Sequence, residues 1–275
     1  MDNRENEKIE IELLIQAIYL KYGYDFRDYS KASRRRRILG RLSKSGLSTI
    51  SEMQHKLLHD PVFFEKLLLD LTVNVSEMFR DPSFFKAVRK TVAPELKKLP
   101  FVKVWHAGCS TGEEVYSMAI LLREEGIPDT STIYATDVNE AVLAEAKKGV
   151  FPIDKMKDYT RNYKMTGGPA SFADYYTARY DHTIVDRGLR KNIVFSDHNL
   201  VTDGVFGEMD LIICRNVLIY FNRDLQDRVF GLFADSLRVG GFLCLGSKET
   251  MMFSKHAKHF ESVVKKEKIY RRVGV

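Results

Sequence analysis

The chain has 275 residues, 44% hydrophobic and 29% charged. That supports a sizeable core in one large or two small domains and excludes a disulfide-stapled mini-protein, a fibrous repeat and wholesale disorder. Lys+Arg 43 against Asp+Glu 37 leaves a net charge of +6, which calls for an acidic partner without saying whether it is nucleic acid, membrane or protein.

From Glu7 to Leu71 apolar residues recur at helical spacing: Ile9, Leu13, Ala17, Leu20, then Ile38, Leu39, Leu42, then Leu57, Leu58, then Phe63, Phe64, Leu67, Leu68, Leu71. Gly23, Gly46 and Asp60–Pro61 mark the breaks, and Thr49 with Glu52 spells a capping box, so a bundle of about four short helices is expected. One further helix is expected over Pro82–Leu99, with Pro94 as a kink or early stop. Strand runs then alternate with helical patterns: Phe101–Ala107, Thr132–Thr136, Ile193–Ser196, Met209–Cys214 and Gly241–Leu245, separated by helices at Glu113–Glu124, Asn139–Lys148 and Arg223–Arg238. This grammar predicts an α/β fold, a mainly parallel, doubly wound sheet. Between Tyr159 and Arg190 the pattern loses its period. Asp186–Arg187–Gly188 reads as a hairpin turn, which suggests a small antiparallel insertion. Cys109, Cys214 and Cys244 form no CxxC pair and read as reduced thiols. The charged start MDNRENEKIEIELL lacks the apolar core of a signal peptide, so a cytoplasmic protein without membrane insertion is expected.

In VKVWHAGCSTGEEVYSMAILL a strand runs through a small-residue loop, Ala107–Gly112, into an amphipathic helix. Glycines such as Gly108 let a ligand approach the backbone at the carboxyl edge of a parallel sheet, although such a loop can also be a plain tight connection. Asp137, ending the next strand, suits ribose hydroxyls; it could equally cap the helix starting at Asn139. Glu113 and Glu114 at the helix start would repel a pyrophosphate and favour a cationic, phosphate-free nucleoside such as S-adenosylmethionine.

Four motifs in order, NVSEMFRD at Asn74–Asp81, AGCSTGEEVYS at Ala107–Ser117, ATDVNEAVLAEAKKGVF at Ala135–Phe151 and CRNVLIYFN at Cys214–Asn222, together with FSDHNL at Phe195–Leu200, resemble the bacterial chemotaxis-receptor glutamate methyltransferases, the CheR family. The resemblance spans nearly the whole chain. It implies a class I methyltransferase sheet (residues 76–275), an N-terminal all-helical domain (residues 1–75), a small inserted β-subdomain near residues 159–190, and S-adenosylmethionine as donor with S-adenosylhomocysteine as product. By position it implies that Asn74, Ser76 and Arg80 contact the cofactor and that Glu113 or Glu114 meets its methionine portion. Asp137 would hold the ribose, Asn199–Leu200 the adenine side, and Arg215–Asn216 the rim near the reacting methyl, with Tyr220 shaping the substrate's position. Arg80, Asn216 and Tyr220 are then the catalytic candidates. The chain departs from the family pattern at Ser76, Val115 and Gly246–Thr250, and the last departure puts the lining near Lys248 and Glu249 in doubt.

Methyl transfer to a glutamate carboxylate, ionised near neutral pH with a reference pKa of about 4.3, needs no general base. The motifs offer no nucleophile–base–orienter triad, and no metal site is expected. Bland alternatives stand beside the candidates: a salt bridge of Arg80 with Glu77 or Asp81, core packing for Tyr220, structural roles for His106 and His198. KASRRRRILGRLSKSG places Arg34, Arg37 and Arg41 on one helix face, which reads as a solvated face or a nucleic-acid contact. The resemblance favours a third reading in which Arg37 and Arg41 meet a receptor's acidic helical bundle, with a monomer expected and nucleic acid not. A methyltransferase on another protein or RNA, or a non-catalytic sensor of the cofactor, are the competing functions.

Overall fold

The computed structural model describes residues 3–72 and 74–274. The chain divides into two compact units, one made of residues 1–74 and 220–226, the other of residues 75–219 and 227–275.

The first unit is helical: α1 (Asn3–Tyr22), α2 (Lys31–Ser45), α3 (Ile50–His59) and α4 (Pro61–Thr72). Thr49 Oγ1 accepts the Glu52 N–H at 3.1 Å while the Glu52 carboxylate accepts the N–H of Ser48 at 2.7 Å and of Thr49 at 3.4 Å, the reciprocal box that caps the start of α3. Gly46 ends α2 in the left-handed region at φ 70°. Leu14, Ile15, Ile18, Ile38, Met53, Leu57 and Leu67 form a fully buried apolar core. The arginine ridge read from the sequence is corrected here. Arg34 is buried against Glu12, Arg35 pairs with Glu7, and Arg41 Nε donates to Asp70 at 2.6 Å and its Nη2 to the Lys66 carbonyl at 2.9 Å. Acids of α1 and α4 thus claim three of the five arginines of α2. Arg36 and Arg37 make no ion pair among the described residues.

The second unit opens with α5 (Pro82–Ala87), one wide turn at Val88–Val92 and α6 (Ala93–Leu96). Pro94 lacks an N–H, and the helix accommodates it not by stopping but by widening one turn earlier, where the Ala93 N–H reaches the Val88 carbonyl five residues back. There follow β1 (Lys103–Ala107), α7 (Glu113–Glu124), β2 (Thr132–Asp137), α8 (Glu140–Lys148), β3 (Val150–Pro152), α9 (Met156–Met165), β4 (Tyr176–Arg179), β5 (His182–Val185), α10 (Arg187–Arg190), β6 (Ile193–Asp197), β7 (Met209–Cys214), α11 (Arg223–Ser236), β8 (Leu237–Leu245), β9 (Phe260–Val264) and β10 (Ile269–Arg272). The main sheet runs β6-β2-β1-β7-β8-β10-β9, parallel from β6 to β8, with β10 and β9 antiparallel. Its order reverses between β1 and β7, so the loops after these two strands flank the switch point where open α/β sheets bind ligands.

A second sheet, β3-β5-β4, is antiparallel. Its hairpin turn lies at Tyr180–Asp181, with Tyr180 at φ +48°, and not at Asp186–Gly188. Asp186 instead caps α10 through the Gly188 N–H at 2.8 Å, and the following Ile193–Asp197 leaves for the main sheet. The aperiodic tyrosines are also explained: Tyr159 and Tyr163 bury one face of α9. No helix among the described residues is long and apolar enough to cross a membrane.

Candidate active site

β1 is buried, and the chain leaving it turns sharply because Gly108 (φ +80°), Ser110 (φ +51°) and Gly112 (φ +90°) all take left-handed backbone. Gly108 cannot carry a side chain, since a Cβ there would lie 2.6 Å from Val217 Cγ2. The N–H groups of Gly108 and Cys109 both donate to the Thr136 carbonyl, at 2.9 and 2.8 Å. Asp137 accepts the Ser110 N–H at 2.9 Å through one oxygen and the Asn139 N–H at 3.1 Å through the other. The helix cap is Asn139, whose own side chain accepts the Ala141 N–H, so Asp137 ties two loops together instead. Burial pushes the Asp137 carboxyl above its ordinary range against those two bonds. The Ser110 hydroxyl beside it is buried with no partner among the described residues.

The two glutamates of α7 part company. Glu114 accepts Arg215 Nη1 at 2.5 Å, while the Glu113 carboxylate accepts, among the described residues, the Thr111 hydroxyl alone, at 2.6 Å. Glu113 and Asp137 are near enough to the buried Cys109 thiol that both add to its upward shift, burial contributing most. The set is two carboxylates and a hydroxyl around a glycine turn, with acid at the helix start, a set that suits hydroxyls and an ammonium and rejects phosphate.

Across the switch point, Arg215 does not line a rim. Its side chain is 2% exposed. Its Nη2 bonds Asp81 at 2.6 Å, its Nη1 reaches the Arg80 carbonyl at 3.4 Å, and the guanidinium lies 4.1 Å from the Phe84 ring centre. It is a buried strut that pins the segment before α5. That segment is strained. Phe79 and Asp81 sit at φ 54° and 56° on either side of Arg80, and the Phe79 N–H is held by the Ser117 hydroxyl at 2.9 Å. Glu77, the other acid near Arg80, accepts Asn162 Nδ2 at 2.5 Å. Glu77 and Asp81 each bond another residue, and the Arg80 guanidinium makes no hydrogen bond or ion pair among the described residues. Ser76, four residues earlier, is half-buried.

Asn216, next in chain to Arg215, is half-buried at φ +62°. Its loop is gathered by a carboxylate that the motifs did not single out: Glu249, buried, accepts the N–H groups of Asn216, Val217, Leu218 and Gly246. The signal was present as the acid of GSKET, hidden by the departure at Lys248. After β6, the Asn199 side chain accepts the Val201 N–H at 3.0 Å, and Leu200 is buried. Arg228 of α11, equally unforeseen, donates to four consecutive carbonyls, Leu200 at 2.8 Å, Val201, Thr202 at 3.0 Å and Asp203 at 3.3 Å. Arg80, Gly108, Glu113, Asp137, Asn199, Leu200 and Asn216 thus belong to one sheet edge. His106 and His198 flank it; His106 is buried and its imidazole is driven down to about 3 by burial and by the charge of Arg215.

Four candidates belong to the helical unit. Asn74 Nδ2 closes α4 on the Thr72 hydroxyl at 3.0 Å and the Leu69 carbonyl at 3.4 Å. The Tyr220 carbonyl accepts the Ser30 N–H at 2.7 Å, and the Arg37 guanidinium lies 5.9 Å from the Tyr220 ring centre. Arg41 is committed to Asp70.

Two family models match the chain, that of the CheR methyltransferase SAM binding domain over residues 74–269 and that of the CheR methyltransferase all-alpha domain over residues 9–72. The chain is 56% identical to Cher3 of Pseudomonas putida over 272 residues, covering 99% of this chain and 100% of that one. It is 32% identical to a chemotaxis protein methyltransferase of Listeria monocytogenes, covering 84% of this chain and 86% of the relative. Against chemotaxis protein methyltransferase 2 of Pseudomonas aeruginosa the identity is 29%, with 83% and 79% covered. The chain belongs to the CheR family of S-adenosylmethionine-dependent methyltransferases.

Proposed function

We propose that this enzyme methylates glutamate side chains of chemoreceptors in the cytoplasm, with residues 1–75 as the substrate-facing helical domain and residues 76–275 as the catalytic domain. The observation that carries the reading is Arg80, a half-buried cation held between two left-handed residues with both neighbouring acids already bonded elsewhere. A guanidinium kept free in this way suits a carboxylate brought by a ligand. The names of the relatives, chemotaxis protein methyltransferases, support the receptor as acceptor.

The donor set fits S-adenosylmethionine. Asp137 would accept from the ribose hydroxyls, Glu113 would hold the amino group, and Asn199–Leu200 would line the adenine side, with Ser76 closing the cofactor end near Arg80; Asn74, in the helical unit, is a further candidate cofactor contact. Glu113 is preferred over Glu114 because the latter's carboxylate is bonded to Arg215. When bound, the cofactor supplies an electrophilic methyl on a positively charged sulfur. Since the acceptor carboxylate is ionised without help, the chain's residues have to orient and desolvate rather than move protons. The Asn216 carboxamide would aim one carboxylate oxygen at the methyl; in the helical unit, Tyr220 is the candidate for shaping the substrate glutamate's position. Arg80 would steer and position it from the side, since a cation bonded to the attacking oxygen itself would blunt it. Arg37 is the basic contact for an acidic receptor helix; Arg41 supports it from the Asp70 pair.

The test is incubation of the full chain with methyl-labelled cofactor and receptor cytoplasmic domains, followed by mild alkali. Release of labelled methanol supports a glutamyl methyl ester. Alkali-stable label on protein or RNA, or cofactor binding with no transfer, overturns the reading.

A further inference from the structure

We infer that Glu249 is the positioning residue for Asn216, shaping the loop after β7 from the segment that follows β8. The inference rests on the reading of Asn216 as a group at the reacting methyl. A carboxylate offers about four lone-pair sites. Glu249 fills them with backbone N–H groups alone: Leu218 at 2.8 Å, Val217 at 2.9 Å, Asn216 at 3.1 Å and Gly246 at 2.5 Å.

Three successive N–H groups converge on one anion only when the chain curls around it. That curl puts Asn216 at φ +62°, in the left-handed region that most L-residues avoid. The strain persists because the buried anion cannot lose its donors cheaply. Gly246 completes the device, since a Cβ there would stand 2.8 Å from both the Asn216 nitrogen and Glu249 Oε2. The Asn216 carboxamide makes no hydrogen bond to the described residues, so what Glu249 fixes is the backbone from which that side chain starts. Glu249 touches no reacting group; its effect on turnover passes through the asparagine.

The experiment compares Glu249→Gln, Asn216→Ala and the double variant in the full chain, with Gly246→Ala as a second way to displace the carboxylate should Glu249→Gln not fold. A glutamine end that donates cannot accept, so amide exchange at Asn216, Val217 and Leu218 should quicken by about 10-fold or more. Exchange at Ile212 and Ile213 in β7 should hold. Turnover should fall by about 10- to 100-fold in each single variant while affinity for S-adenosylhomocysteine moves less than about 3-fold. The double variant should be no slower than the worse single one, because both remove one function. Multiplying effects, a collapse of product affinity, or unchanged exchange would overturn the assignment. Failure of the wild type to form a base-labile ester is a different outcome, one that sinks the proposed activity while the exchange data still decide the role of Glu249.

Discussion

Arg80 and Arg215 serve one sheet edge, and their surroundings give them opposite duties. Arg215 is desolvated and neutralised by Glu114 and Asp81, so Arg215→Ala, which strands the largely buried Glu114 carboxylate, should cost about 3 kcal/mol in a denaturant titration. Arg80 bonds nothing internal through its guanidinium; Arg80→Ala should leave the melting temperature within about 2 °C, by the usual range for surface substitutions, and lower turnover by about 10- to 100-fold. The sequence offered these two arginines as equals, because a motif records order along the chain and says nothing of which acid lies across it. His106 carries a pH signature. Its folded pKa, about 3, lies below the ordinary 6.5, so the neutral imidazole stabilises the fold above 6.5 and that contribution is lost as pH falls toward 3. Relative to His106→Gln, wild-type stability should be flat above pH 6.5 and drop by up to about 1.4 kcal/mol per pH unit below it, as read by denaturation at stepped pH.

At the scale of elements, local grammar was legible wherever one residue type decides a backbone state. Gly46 ends α2, Thr49 and Glu52 cap α3, and Gly108 and Gly112 shape the loop before α7. The hairpin turn was missed because it carries no glycine. Tyr180, 98% exposed, is forced to φ +48°, and Tyr180→Asn should stabilise the unit by about 0.5–1 kcal/mol in thermal unfolding. The strap across the 200–203 loop was equally hidden, since Arg228 lies some 25 residues away in sequence. Arg228→Ala frees four carbonyls and should weaken S-adenosylhomocysteine binding several-fold by calorimetry while β7 and β8 keep their exchange protection.

Across the whole molecule the charge changes meaning. Between Arg27 and Lys56 nine basic and two acidic residues carry a surplus larger than that of the entire chain, +6. In the fold, Glu7, Glu12 and Asp70 arrive from α1 and α4 to neutralise Arg35, Arg34 and Arg41. Among the arginines of α2, Arg36 and Arg37 keep a charge with no acid partner among the described residues, and replacing both with alanine should raise KM for an acidic receptor fragment, an effect that fades with added salt, with cofactor affinity unchanged. By itself the sequence determined what short-range chemistry controls: helices from periodicity, turns from glycine and proline, a parallel sheet from alternation, the family from ordered motifs. The tertiary structure alone decided which acid meets which base, that Arg80 is free and Arg215 spent, and that Glu249 holds Asn216. Such pairings depend on distance across the fold and on desolvation, neither of which is written in the order of residues.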